Sequence, residues 1–285
     1  MIKGGQYAWI DGVPTMIGWN ISQELSSAQQ VTSNSQLGSY RRNGVCKWSG
    51  SFNGLGGKPA DILLPRSSFN GIFWTGPDSG VITGTGQAFE GVTKVSKLEI
   101  NWDFSSDTPL TYSCDFLGHL ALTEDATQAA ITDTTDPTLH PHCVTKLELT
   151  DVAVAGVKSM KLTISAAVTE YNNSDTIVSG KCWTGVELGA IDWEAQVVVE
   201  NDRFQFAAGT DYVLKMYTSA TEYWELEWGK HLGHSDIKAD RKTNEIIGYT
   251  MNFGMNGNID NTFANQGKIQ LPGAASAWWP TVLNS

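Results

Sequence analysis

Apolar and polar residues alternate along this chain in short runs, most clearly in "KLEINWDFS" (97–105), "TKLELTDVAV" (145–154), "MKLTISAAVTEY" (160–171), "DWEAQVVVEN" (192–201), "YVLKMYT" (212–218) and "EYWELEW" (222–228). A period of two sends successive side chains to opposite faces, so each run predicts a half-buried strand. β-Branched and aromatic residues fill the runs, and clusters of Gly, Asn, Asp and Ser separate them, the pattern of an all-β chain. Helical periodicity is nearly absent. Only "PADILLPRSS" (59–68) and "LTEDATQAAITD" (122–133) leave room for a short helix.

The pattern also repeats. "MIGWNIS" (16–22) stands where "SMKLTIS" (159–165) stands, and each precedes a polar stretch, "TSNSQLG" (32–38) or "YNNSDTIV" (171–178). Gly44 then leads to Trp48 in "GVCKW", and Gly189 to Trp193 in "GAIDW". Further on, "LTYSCDFLG" (110–118) and "IGYTMNFGM" (247–255) share the form aliphatic-x-Tyr-Ser/Thr-x-Asp/Asn-Phe, pairing Tyr112 with Tyr249 and Phe116 with Phe253. Between the copies lies "TEDATQAAITDTTDPTLHP" (123–141), rich in Thr and Asp and ending in prolines, which reads as a linker. The organisation expected is a β domain at 1–122, a linker at 123–143, a similar domain at 144–272 and a tail at 273–285. In each domain a glycine at a turn supplies φ freedom, and a tryptophan one short step on fills the core beneath the entering strand. Trp48, Tyr112, Phe116, Trp193, Tyr249 and Phe253 are the core residues this predicts.

Composition narrows the function classes. The chain has 285 residues, 11 of them Trp, 10 Phe and 8 Tyr, enough to build a sizeable core. Its net charge is −11, of which −5 falls in residues 1–144 and −6 in 145–285. Phosphate affinity comes mainly from Lys and Arg, so an acidic chain is not expected to hold DNA or anionic lipid, although DNA could slide past it. "MIKGGQYAWIDG" at the start lacks the apolar core of a secretory leader, and no run approaches the roughly 18 apolar residues that cross a bilayer. Cys46, Cys114, Cys143 and Cys182 match no zinc spacing and are expected to be free thiols in a cytoplasm.

Candidate chemistry is sparse. Glu225 and Glu227 share one face of a predicted strand beside Tyr223 and Trp224, as a glycan-cleaving carboxylate pair among sugar-stacking aromatics would. Two outward residues on an amphipathic strand explain them as well. His140, His142 and Cys143 in "HPHC", and His231 and His234 in "HLGH", fall short of the three or four convergent ligands a metal needs. "GTGQAFEG" (84–91) has no βαβ context for a dinucleotide, no nucleophile elbow is present, and Arg41–Arg42 are a lone basic pair. No catalytic, cofactor-binding or metal-binding residue is assigned, and the chain is not expected to be an enzyme.

The order of these landmarks resembles that of phage tail tube (major tail) proteins. "GWNIS" with "GVCKWSGSFNG", and "MKLTIS" with "GAIDWEAQVVVEND", look like the family's first strand pair. "GTGQAF…CDFLGHLAL" and "WGKHLGHSDI…EIIGYTMNFGMNG" look like its later paired strands, so the resemblance runs from about Tyr7 to Leu271. It implies an all-β (minor α) chain of two tandem Hcp-like domains. Each is two packed sheets closing to a partial barrel, with at most one short helix. It further implies six domains to a ring, hence a homotrimer with pseudo-sixfold symmetry, and rings stacked into a virion's DNA conduit. The partners implied are tape-measure, tail-terminator and tail-tip proteins, with DNA passing transiently, no membrane anchor and assembly in a bacterial cytoplasm. A hub or distal ring at the tail tip, or a carbohydrate-binding β-sandwich, are the alternatives. The polar stretches 26–43 and 171–188 are candidates for contacts between stacked rings, and Trp278 and Trp279 are expected to dock on this domain or a neighbour.

Overall fold

The computed structural model describes residues 16–30, 40–56, 64–77, 86–104, 110–128, 146–200, 206–238, 248–256, 269–270 and 278–279. Among them the chain is almost entirely strand, with a single 3-10 turn at Ser174–Thr176. All 16 strands join one hydrogen-bonded sheet rather than two separate ones.

The first half consists of β1 (Met16–Gln30), β2 (Tyr40–Leu55), β3 (Ser68–Pro77), β4 (Gly86–Asp103) and β5 (Leu110–Gln128). They lie side by side as β1-β2-β5-β4-β3, every pair antiparallel. In the second half come β6 (Leu147–Leu149), β7 (Val152–Ala153), β8 (Val157–Tyr171), β9 (Ile177–Val178), β10 (Lys181–Trp183), β11 (Gly185–Glu200), β12 (Asp211–Tyr217), β13 (Tyr223–Lys238), β14 (Gly248–Met255), β15 (Ile269–Gln270) and β16 (Trp278–Trp279). Its main strands run β8-β11-β14-β13-β12, again all antiparallel. The two orders are the same, with β8 in the place of β1, β11 of β2, β12 of β3, β13 of β4 and β14 of β5.

Register agrees as closely as order. Gly50, two residues after Trp48, faces Phe116, and Ala195, two residues after Trp193, faces Phe253. Gly54 faces Tyr112 as Val199 faces Tyr249. Bulges recur too: Ser96 is the extra residue between Val95 and Lys97, and Leu232 the extra one between His231 and Gly233. Ahead of each β3-type strand, one residue turns left-handed and hydrogen-bonds to β4 or β13. Arg66 (φ 74°) donates its N–H to the Val95 carbonyl at 2.9 Å, and Gly209 (φ 82°) to that of His231 at 2.7 Å.

The core follows from alternation. Trp48, Tyr112, Phe116, Trp193, Tyr249 and Phe253 are each no more than 2% exposed. Trp48 packs edge-on to Phe73 and Phe116, and its indole N–H donates to the Leu120 carbonyl at 3.0 Å. A β-carbon on Gly118 would fall inside that indole, and one on Gly91 would stand 2.5 Å from it, so close approach explains both glycines.

Several expectations are corrected. Residues 122–128 continue β5 instead of forming a helix, with Glu124 facing Phe89 and Asp125 facing Ala88. The expected linker therefore loses its first six residues to a strand, while 129–145 lie outside the described residues. Of the candidate helix at 59–68, residues 64–67 make a turn and Ser68 begins β3, while 59–63 lie outside the described residues. Neither Gly44 nor Gly189 sits at a turn. Gly44 is inside β2, where a β-carbon would strike Ser26 at the bulge in β1, and Gly189 is at the bulge of β11 itself. Within the polar stretch at 171–188, β10 adds to β2 in parallel, Cys182 facing Val45 and Trp183 facing Cys46, while 172–175, Ile177 and 179–181 remain exposed. Trp278–Trp279 pair as a strand with Ile269–Gln270, which in turn pair with β13.

Candidate functional site

The two like halves are joined edge to edge. β4 carries β5 along one side, and on the other side carries β3 over Gly86–Lys94 and then β8 over Lys97–Asp103. Across this joint Leu98 faces Ile164, Ile100 faces Leu162 and Trp102 faces Met160, all at most 2% exposed. Alternate residues form a polar face, where the Lys161 ammonium lies 2.9 Å and the Lys97 ammonium 3.3 Å from the Glu99 carboxylate. Burial raises the Glu99 pKa, but hydrogen bonds from Lys161 and Asn101 and the charge of Lys161 outweigh it and hold the carboxyl below its ordinary range.

That sign fixes a pH dependence. A carboxyl with a lower pKa in the folded than in the unfolded chain stabilises the fold above the unfolded value, and loses that contribution as pH falls through the folded one. We expect Glu99→Gln to lower Tm at neutral pH and the gap from wild type to close as pH drops below the ordinary carboxyl value of 4.5. Thermal unfolding of both proteins across that range checks this, and a gap that widens toward acid would reverse the assignment.

A second contact between the halves comes from the far end of the β8–β11 hairpin. Thr184, buried, donates its N–H to the Cys46 carbonyl at 2.9 Å and accepts from the Leu120 N–H at 3.0 Å. The Val186 N–H donates to His119 Nδ1 at 3.1 Å.

The places that correspond to this joint elsewhere are open among the described residues. β1, the counterpart of β8, pairs only with β2. β13, the counterpart of β4, carries β14 on one side, while β12 and the Gly209–Thr210 turn cover the other side only as far as His231. Past that point Leu232 is 63% and Ile237 58% exposed. The open strand β1 has 15 residues, no proline and one charge, Glu24, which pairs with Lys47 at 3.4 Å. Long edges without such protection are templates for another strand. Sequence patterning misses this site because it shows which face of a strand is apolar, not which neighbour satisfies its hydrogen bonds.

Of the residues singled out for chemistry, Tyr223, Trp224, Glu225, Glu227, His231 and His234 all lie on β13. Trp224, the sugar-stacking aromatic of the glycan alternative, is fully buried in the core, while Glu225 and Glu227 share the outer face with Lys215. Burial raises the Glu225 pKa, which Lys215 opposes and Glu227 adds to. His231 is fully buried, stacked on Phe253 and edge-on to His234, with no hydrogen-bond partner for either ring nitrogen among the described residues. Burial and the neighbouring His231 lower the His234 pKa, favouring the neutral ring. These histidines occupy the positions of Val95 and Leu98 in the first half, so they read as core substitutions. Among the described residues no three His, Cys, Asp or Glu side chains converge as metal ligands. His140, His142, Cys143 and the first two residues of "GTGQAFEG" lie outside the described residues. The remainder of that stretch is β4, not a phosphate loop. Cys46, Cys114 and Cys182 are free thiols. No family model and no curated protein matches this chain by sequence.

Proposed function

We propose that the protein is a structural subunit whose copies join edge to edge into rings, and that the rings stack into the DNA-conducting tube of a phage tail. The observation that carries this reading is the internal joint. Two modules of like strand order are fused through β8 and β4, and the edges that would extend the series carry no strand among the described residues. A joint between unlike edges is heterologous, so it repeats, closing into a ring where the rotation permits and otherwise running on as a filament. With two modules per chain, three copies make the pseudo-sixfold ring that the tail-tube resemblance implies. The net charge of −11 suits a conduit, because an acidic wall repels phosphate and lets DNA pass without adhering.

Negative-stain electron microscopy of the purified protein tests this. Threefold rings of six like lobes, stacked into hollow tubes, are the expected result. Rings that never stack would move the protein to a hub or distal ring at the tail tip. A monomer at every concentration would overturn the proposal.

A further inference from the structure

We infer that β1 of one copy adds to the open half of β13 in the next copy, antiparallel, in the register that β8 keeps on β4. The inference deepens the ring reading by naming the partner as a second copy of this chain and the residues that meet. It follows by carrying the internal joint over to the equivalent strands.

The correspondence is fixed residue by residue from the pairings within each half. Glu99 faces Ser113 and Ser235 faces Thr250, so Ser235 stands in the place of Glu99. Thr163 faces Glu194, one residue after Trp193, and Ser22 faces Ser49, one residue after Trp48, so Ser22 stands in the place of Thr163. Glu99 and Thr163 are partners in the internal joint. Ser235 and Ser22 are therefore partners between copies. The same transfer sets His234 opposite Gln23, where the internal joint has Leu98 opposite Ile164, and Lys238 opposite Asn20, where it has Asn101 opposite Lys161.

Burial supports the occupant. Ile100 faces Tyr112 and is fully covered, with Leu162 of β8 across the joint. In the second half, the register shift between Ser235 and Lys238 leaves Asp236 and Ile237 opposite Tyr249, and Ile237 is 58% exposed. The residue in the place of Leu162 is Ile21, which with Trp19 packs only partly against the core of its own half. Bringing β1 onto β13 puts Ile21 beside Ile237 and covers both. The apolar pair Leu98–Ile164 becomes the polar pair His234–Gln23, which suits a joint that must form from soluble copies.

Engineered disulfides test the register. Antiparallel partners bring Cα atoms about 4.5–5.5 Å apart, within reach of a disulfide. A Ser22→Cys protein mixed with a Ser235→Cys protein, each tracked by mass, should give a covalent dimer on a non-reducing gel. Asn20→Cys mixed with Lys238→Cys should do the same. Ser27→Cys mixed with Ser235→Cys should remain monomeric, since five residues along a strand displace the thiol by about 16 Å. The double variant Ser22→Cys/Ser235→Cys should give a covalent ladder ending at the ring size. Absence of a dimer from both matched mixtures, or equal linking of the offset mixture, overturns the inference. Rings in the microscope without these cross-links would leave the ring reading standing and discard this joint. Cross-links without rings in the microscope would do the reverse.

Discussion

Replacing Trp48 by alanine should lower the free energy of unfolding by about 3–5 kcal/mol, and Trp193→Ala should fall in the same range. Both indoles are at most 2% exposed, and each fills the core of its own half from the equivalent position. Phenylalanine should separate them. The Trp48 indole N–H donates to the Leu120 carbonyl at 3.0 Å, whereas the buried Trp193 N–H has no hydrogen-bond partner among the described residues. Both changes leave a similar void, but Trp48→Phe also removes a hydrogen bond, whereas Trp193→Phe also removes an unsatisfied donor. The first should be the more destabilising by about 1 kcal/mol. Leu120 sits at φ 63° and donates its own N–H to the Thr184 carbonyl, so the lost bond also loosens the contact between the halves. Urea unfolding of the four variants reads both comparisons, and equal losses for the two phenylalanine variants would remove the hydrogen bond from the account.

Part of this fold is legible in the sequence because it is written in alternation and in bulky landmarks. The class is all-β as the patterning implies, and the aromatic pairs Tyr112/Tyr249 and Phe116/Phe253 stand at matching register positions beside Trp48 and Trp193. Local signals mislead where strand pairing overrides them. Residues 122–128 have helix-compatible composition, yet β4 supplies an unsatisfied edge and draws them into β5. Gly44 and Gly189 read as turn residues, but crowding by Ser26 accounts for the first and a bulge for the second. The candidate site is least legible of all. Nothing in "KLEINWD" announces that it will pair with "SMKLTIS" about 60 residues on, and nothing in "LGHSDIK" announces that its outer edge stays open among the described residues. Those facts belong to topology, which period-two patterning does not encode.

Equivalent positions in the two halves should therefore fail in different ways. Leu162 is fully buried in the joint inside the chain, and Leu162→Ala should cost about 2–5 kcal/mol of stability through the cavity it leaves beside Ile100. Ile237 occupies the corresponding place at the open edge and is 58% exposed, so Ile237→Asp should change monomer stability by no more than about 0.5 kcal/mol. Its effect should fall on assembly instead. An aspartate there would have to be desolvated against Ile21 of the incoming strand, a penalty with no compensating partner at that position. Denaturant unfolding at a dilution where both proteins are monomeric, paired with sedimentation velocity at assembling concentrations, distinguishes the outcomes. Leu162→Ala should unfold early yet still assemble in the cold, and Ile237→Asp should unfold like wild type yet stay monomeric. An Ile237→Asp protein that assembles normally would mean that copies meet elsewhere, and that the likeness between the internal joint and the open edge has no consequence outside the chain.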